Sequence, residues 1–380
     1  MNRRQAMFGM GALGASTALA GASRAQTAPD LWGRVSTMIE AIIAERLTPG
    51  LQITVRKGDA LLFDRGFGSA NLETATPMTP AGVLRVGSLT KQFTAATLLL
   101  LEADGVLSLD DPLSRFLPDV PRAADLSLLR MANHTSGLGN YTDAASVQAF
   151  LQGGRPDRST DEMVALMAAS ADLQKTEPGT AWAYSNTAYV LLGAVIEKAT
   201  GRPYGAVMQG RLFGPLGLAA TAVDDPAQIL PGRVAGYTNV AMPTAFENAS
   251  FLSMTYPGAA GSMRSTTADL CRWHQALLGG KVLSPAGLAK MLTPAVLADG
   301  SRPADGTLYG LGVSLSPQGA PALVSHTGGI NGFASYLGTY RDADLSIATI
   351  VNADGGFGDG ASPGPRVQAV RRVIRDALLV

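Results

Sequence analysis

Val86-Gly87-Ser88-Leu89-Thr90-Lys91-Gln92-Phe93-Thr94-Ala95-Ala96 runs out of an extended segment into a long apolar helix. Ser88 and Lys91 lie one helical turn apart, so the hydroxyl and the amine share a face. A serine is a weak nucleophile until a neighbouring base takes its proton. Lysine can be that base when burial lowers its pKa, whereas arginine effectively never releases a proton. The only lysines are Lys57, Lys91, Lys175, Lys198, Lys281 and Lys290, and Lys91 alone has a serine three residues before it. Taken alone, Ser88 also reads as a helix cap, a position that favours serine.

Outward from this stretch the chain alternates in character. Before it, Leu31, Val35, Met38, Ile39, Ile42 and Ile43 recur at helical spacing, and Pro49-Gly50 ends that helix. Residues 51–56 and 60–65, separated by Lys57-Gly58-Asp59, read as a β-hairpin. The helix after Ser88 is apolar all round through Leu98-Leu99-Leu100-Leu101, which predicts a central position. From 117 to 255 the pattern is helices joined by Gly/Pro loops. Strand signals return at 311–315, 322–325, 334–340 and 346–351, and an amphipathic helix follows at 366–379. The expectation is one catalytic domain: an α/β region from 26–116 and 256–380, interrupted by an all-helical region at 117–255. A cleft between the two regions would hold the active site.

Composition narrows the function. Charged residues make up 16%, Gly is plentiful at 44, and the formal net charge is zero, which predicts a turn-rich globule with no nucleic-acid partner. The single cysteine, Cys271, excludes an internal disulfide and a cysteine-cluster metal site, and its helical context predicts a buried structural thiol. Arg3 and Arg4 precede an apolar run from Met7 to Ala20, and Ser23-Arg24-Ala25 offers a cleavage site. Residues 1–25 therefore read as a signal peptide, twin-arginine in flavour, that sends the protein to the periplasm or outside the cell. No later segment has the length and hydropathy of a stable membrane span. Two motif matches carry no function. Gly9-Met10-Gly11-Ala12-Leu13-Gly14 lies in the signal with no strand before it, and Gly360-Ala361-Ser362-Pro363-Gly364 sits in a loop with no strand leading in.

Two further elements complete a constellation. Tyr184-Ser185-Asn186 follows Pro178-Gly179 and immediately precedes a helix, and His326-Thr327-Gly328-Gly329 ends the strand at 322–325. A Ser-x-x-Lys helix start, a Tyr-x-Asn loop and a His-Thr-Gly strand, in this order, resemble the serine β-lactamase and penicillin-binding protein superfamily. The class C β-lactamase and D-alanyl-D-alanine carboxypeptidase branch, with its esterase and D-aminopeptidase relatives, is the most similar. Leu107-Ser108-Leu109-Asp110-Asp111-Pro112 and His134-Thr135-Ser136-Gly137-Leu138 extend the resemblance through almost the whole chain after the signal.

The resemblance implies an α/β fold with a mixed, largely antiparallel sheet flanked by helices and an inserted helical region. It implies Ser88 as the nucleophile, Lys91 as the base, and Tyr184 sharing the acid/base work. Asn186, His326 and Gly329 would bind substrate, with the N–H groups of Ser88 and Gly329 forming the oxyanion hole. No cofactor or metal is implied. The expected activity is exported hydrolysis of a small-molecule ester, amide or peptide through an acyl-enzyme, small esters and D-amino-acid peptides leading. The alternatives are a class C-like β-lactamase and a penicillin-binding sensor that acylates without turnover. His326 departs from the lysine common at its position, and a histidine titrating near neutrality predicts pH-dependent carboxylate binding. His134 reads as structural and His274 as non-catalytic.

Overall fold

The computed structural model describes residues 28–143, 154–170, 173–239, 245–354 and 363–379. The proposed signal, most of the Gly360–Gly364 motif and much of the loop from Tyr141 to Pro156 lie outside them. Helix α1 (Ala28–Ala44) leads into strands β1 (Gly50–Lys57), β2 (Ala60–Asn71) and β3 (Thr76–Pro77). Helix α2 (Thr90–Ala103) carries Lys91, α3 is Thr160–Ala168, α4 is Asn186–Thr200 and α5 is Thr267–Leu278. Strands β4 (Ser314–Leu315), β5 (Leu323–Ile330), β6 (Phe333–Tyr340) and β7 (Leu345–Val351) precede the last helix, α6 (Gly364–Leu378).

The seven strands form one sheet in the order β3-β2-β1-β7-β6-β5-β4, antiparallel at every pairing. Parallel contacts among the described residues are isolated bridges such as Val83 with Arg233. Alternation along β1 explains the layers. Leu51, Ile53 and Val55 pack with Val35, Ile39, Val370 and Ile374 from α1 and α6. Gln52 and Thr54 point the other way and bond Thr267 at the start of α5, Oε1 accepting from its backbone N at 2.8 Å and the two hydroxyls lying 2.7 Å apart. Leu345, Ile347 and Val351 of β7 repeat the α1–α6 face, while Ala348 and Ile350 join the larger core around α2. Each large apolar side chain so buried contributes about 1.5–3 kcal/mol against exposure.

Helix α2 is central, as its pattern predicts: Thr90 to Leu99 and Leu101 are all buried. Between 117 and 255 the described chain is mostly helix and loop, with three two-residue strands. One of them, Ala222–Val223, pairs with Met263–Ser265, which also pairs with Leu84–Arg85. That small sheet ties the helical segment to the strand entering Ser88. Cys271 is fully buried, and burial pushes its thiol up to about 12, as suits a structural residue.

Candidate active site

Ser88 sits in a single 3-10 turn, Gly87–Leu89, that feeds α2. Neither that turn nor α2 has a side-chain cap, so Ser88 is not the helix cap its residue type allows. Thr90 ties the turn down instead: its hydroxyl donates to Gly87 O at 2.7 Å and accepts from Met263 N at 3.1 Å. Gly87 has φ +52, and a Cβ there would lie 2.7 Å from Gly329 O. A Cβ on Gly328 would lie 2.1 Å from Val86 O. Both positions therefore require glycine, and β5 lies directly against the serine turn.

Lys91 is wholly buried, and its Nζ has three oxygen neighbours: Ser88 Oγ at 3.0 Å, Asn186 Oδ1 at 2.7 Å and Ala260 O at 2.7 Å. None carries a charge. Burial without a counter-charge lowers the lysine pKa well below its usual value of 10.5. The oxygens of Asn186 and Ala260 can only accept, so each takes an N–H from Lys91. In the neutral amine that burial favours, the lone pair is left for the third neighbour, the Ser88 hydroxyl. Ser88 itself is partly exposed.

Asn186 faces Lys91. Its oxygen holds Lys91, and its Nδ2 donates to Thr142 Oγ1 at 3.0 Å, so one amide N–H remains for a substrate. The neighbour Ser185 caps α4, accepting from Ala188 N at 3.1 Å. Tyr184 places its ring 4.8 Å from Lys91 Nζ. Its hydroxyl is buried, and Ser88 is its polar neighbour. Burial pushes the phenol above its usual range, and the nearby Ser88 only partly opposes that. The raised pKa favours the phenol over the phenolate.

His326 requires a correction. Strand β5 does not stop at residue 325; it runs through the His-Thr-Gly motif to Ile330 and pairs with β6 along its length. The pleat turns His326 inward, 5% exposed, while Thr327 and Gly329 face out. His326 Nδ1 donates to Thr327 O, which can only accept, so Nε2 accepts from the Tyr309 hydroxyl at 2.9 Å. Both ring nitrogens are used by a neutral imidazole. Burial, with a smaller contribution from Lys91, lowers its pKa to about 4. The histidine does not titrate near neutrality as its residue type predicts.

Tyr309 is a site residue that sequence reasoning missed. It packs 4.8 Å from His134, whose ring is 4.4 Å from Tyr184. His134 is fully buried at φ +66, and its Nδ1 accepts from Ser185 N at 3.2 Å. His274, bonded to Thr339 and Gln92, is equally buried and held at about 3 by burial. The signal for Tyr309 was weak: one aromatic in Leu308-Tyr309-Gly310, far from any motif.

An uncharged-partner lysine beside a turn-borne serine, under an antiparallel sheet edge, defines a serine hydrolase of the β-lactamase/transpeptidase-like fold. The Beta-lactamase family model matches residues 35–371, and the chain belongs to that family. A solved D-stereospecific amidohydrolase from Streptomyces sp. is 31% identical, covers 91% of this chain and 98% of its own, and superposes with a TM-score of 0.74. An esterase, EstB, from Burkholderia gladioli is 33% identical over 203 residues, covering 50% of this chain and 51% of the relative. A D-aminopeptidase from Gluconobacter oxydans (strain 621H) is 26% identical over 323 residues, 84% of this chain. The chain spans 58% of that relative's length. The protein is an enzyme, and its relatives are hydrolases of amides and esters.

Proposed function

We propose that Ser88 is the nucleophile of an acyl-enzyme mechanism on small esters and on amides of D-amino acids. The observation that carries this reading is Lys91 Nζ, 3.0 Å from Ser88 Oγ and facing only uncharged oxygens. Neutral Lys91 takes the Ser88 proton as Oγ bonds the acyl carbon. The N–H groups of Ser88 and Gly329 receive the charge that develops on the carbonyl oxygen. Tyr184 gives its proton to the departing alcohol or amine, and the ammonium of Lys91 returns one to the phenolate. Water then attacks the ester on Ser88, its proton passing to Lys91, and Ser88 leaves as the hydroxyl. The names of the amidohydrolase, aminopeptidase and esterase relatives support both leaving-group classes.

A buried neutral His326 offers no cation to a substrate carboxylate, which favours neutral esters and amino-acid amides over β-lactams and carboxypeptidase substrates. The site is taken to lie between the α/β region and the segment 117–255, which supplies Tyr184 and Asn186. Arg3, Arg4 and the apolar run after them support export to the periplasm or beyond, and no described helix is long and apolar enough to cross a membrane. Ser88→Ala should abolish covalent labelling by a fluorophosphonate, read by intact-protein mass spectrometry. An adduct retained on that variant would overturn the assignment.

A further inference from the structure

Asp224 is buried, and three guanidinium groups converge on it: Arg85 Nε at 2.8 Å, Arg233 Nη1 at 2.8 Å and Arg264 Nη1 at 3.3 Å. One carboxylate against three guanidiniums leaves two positive charges over. Arg85, Arg233 and Arg264 line a cavity of about 220 Å³ that is open to solvent. Arg264 is 8% exposed, and its Nε is buried with no partner among the described residues. Arg85 reaches Asp224 through Nε, and it lines the cavity. Two aromatic side chains share the lining: Phe333, which is buried, and Phe251, which is 51% exposed.

We propose that this cavity is a binding site for a small organic oxyanion, a carboxylate or phosphate carried on an apolar or aromatic body. An ion network built only to neutralise Asp224 would need one guanidinium, or two sharing its oxygens. Planar guanidiniums present paired N–H donors suited to carboxylate and phosphate, and one in a partly desolvated wall binds them more strongly than one in water. Phe251 and Phe333 give the body of the ligand an apolar surface, which inorganic ions cannot use. None of the residues of this cavity belongs to the Ser88–Lys91–Tyr184 group, so occupancy does not require catalysis.

Titration calorimetry of the full chain in a low-salt, phosphate-free buffer tests this, with phenylacetate, phenylphosphate, inorganic phosphate and benzylamine as probes. Both aryl anions should bind and benzylamine, a cation of like shape, should not. Aryl anions binding more tightly than inorganic phosphate identifies an organic ligand, and the reverse order overturns the organic part of the proposal. Arg233→Gln should weaken the aryl anions by about ten- to a hundredfold, the range of one charge-assisted hydrogen bond. Because Arg233 also bonds the carbonyls of Asp225 and Gln228, a second variant guards against a loosened loop. Phe251→Asp changes an exposed lining residue and should abolish binding while leaving the melting temperature in place. No heat of binding at millimolar probe, or binding that neither variant alters, would overturn the site.

Discussion

Lys91 and Asp224 are both withdrawn from solvent, and the chain treats them in opposite ways. Lys91 meets only neutral oxygens, so burial drives it toward the uncharged amine. Asp224 meets three guanidiniums; burial pushes its pKa up, Arg85 and Arg233 outweigh that, and it stays a carboxylate below its usual range. Burial by itself does not decide whether an ionisable group is reactive. The charge of its neighbours does, and a group left without a counter-charge is the one ready to exchange a proton.

The largest expected effect falls on the uncompensated member. Lys91→Met keeps the length of the side chain and removes the amine, so turnover of a neutral ester should fall by ~10²–10⁴-fold. The melting temperature should change little, because removing the buried amine offsets the loss of its bonds to Asn186 Oδ1 and Ala260 O. Unfolding of that variant would show that Lys91 is structural, like Asp224. Asp224→Asn leaves three guanidiniums facing no carboxylate and should cost about 3 kcal/mol of unfolding free energy in urea titration. A loss below about 1 kcal/mol would mean that water screens the cluster and the contrast with Lys91 is weaker than the burial implies.

Acid sensitivity sharpens the same contrast, because the two kinds of group act in separate windows. The folded pKa of His326 is about 4 against 6.5 for the free side chain, so the unfolded chain binds more protons between those values. Stability therefore falls as pH drops from 6.5 toward 4. The depressed pKa values of His134 and His274 act in the same direction. Asp224 acts later: its contribution is present above 3.8 and lost as pH falls further. Unfolding followed against pH should show the first decline shrink in His326→Gln and the second in Asp224→Asn. For the neutral His326, the ratio of anionic-ester to neutral-ester turnover should stay flat from about pH 5.5 to 8. A ratio that climbs toward acid would restore a charged histidine at the substrate. The smallest effect is that of Tyr309→Phe, which removes one hydrogen bond to His326 and should cost about two- to tenfold in kcat/KM.

Much of this was legible before any coordinates. The all-round apolar run after Ser88 marks a central helix, and Ser88, Lys91 and Tyr184 do converge: Lys91 Nζ is 3.0 Å from Ser88 Oγ and 4.8 Å from the Tyr184 ring. What was not legible depends on contacts between distant segments. Asn186 holds Lys91 across 95 residues, and Ala260 contributes a backbone oxygen that no side-chain pattern reveals. The His326 reading failed for a more local reason. Gly328-Gly329 looks like the end of a strand, but here the glycines let β5 continue against the serine turn. With the strand extended, its alternation puts Val324, His326 and Ile330 on the buried side. The sequence pattern read the segment 117–255 as helical and missed that Ala222–Val223 pairs with Met263–Ser265, since two residues are too few to leave a pattern.

The position of β1 also governs the order in which the molecule can be made. It pairs with β2, synthesised next, and with β7, whose register partners lie about three hundred residues later, from Leu51 with Val351 to Lys57 with Leu345. Helix α6 then closes on α1, with Lys57 Nζ reaching Leu378 O at 3.0 Å. Until β7 is made, β1 has β2 on one side and an unpaired edge on the other. Such an edge invites pairing with other chains. Loss of Leu345–Val351 would therefore open the middle of the sheet and not its rim, because β7 stands between β1 and β6.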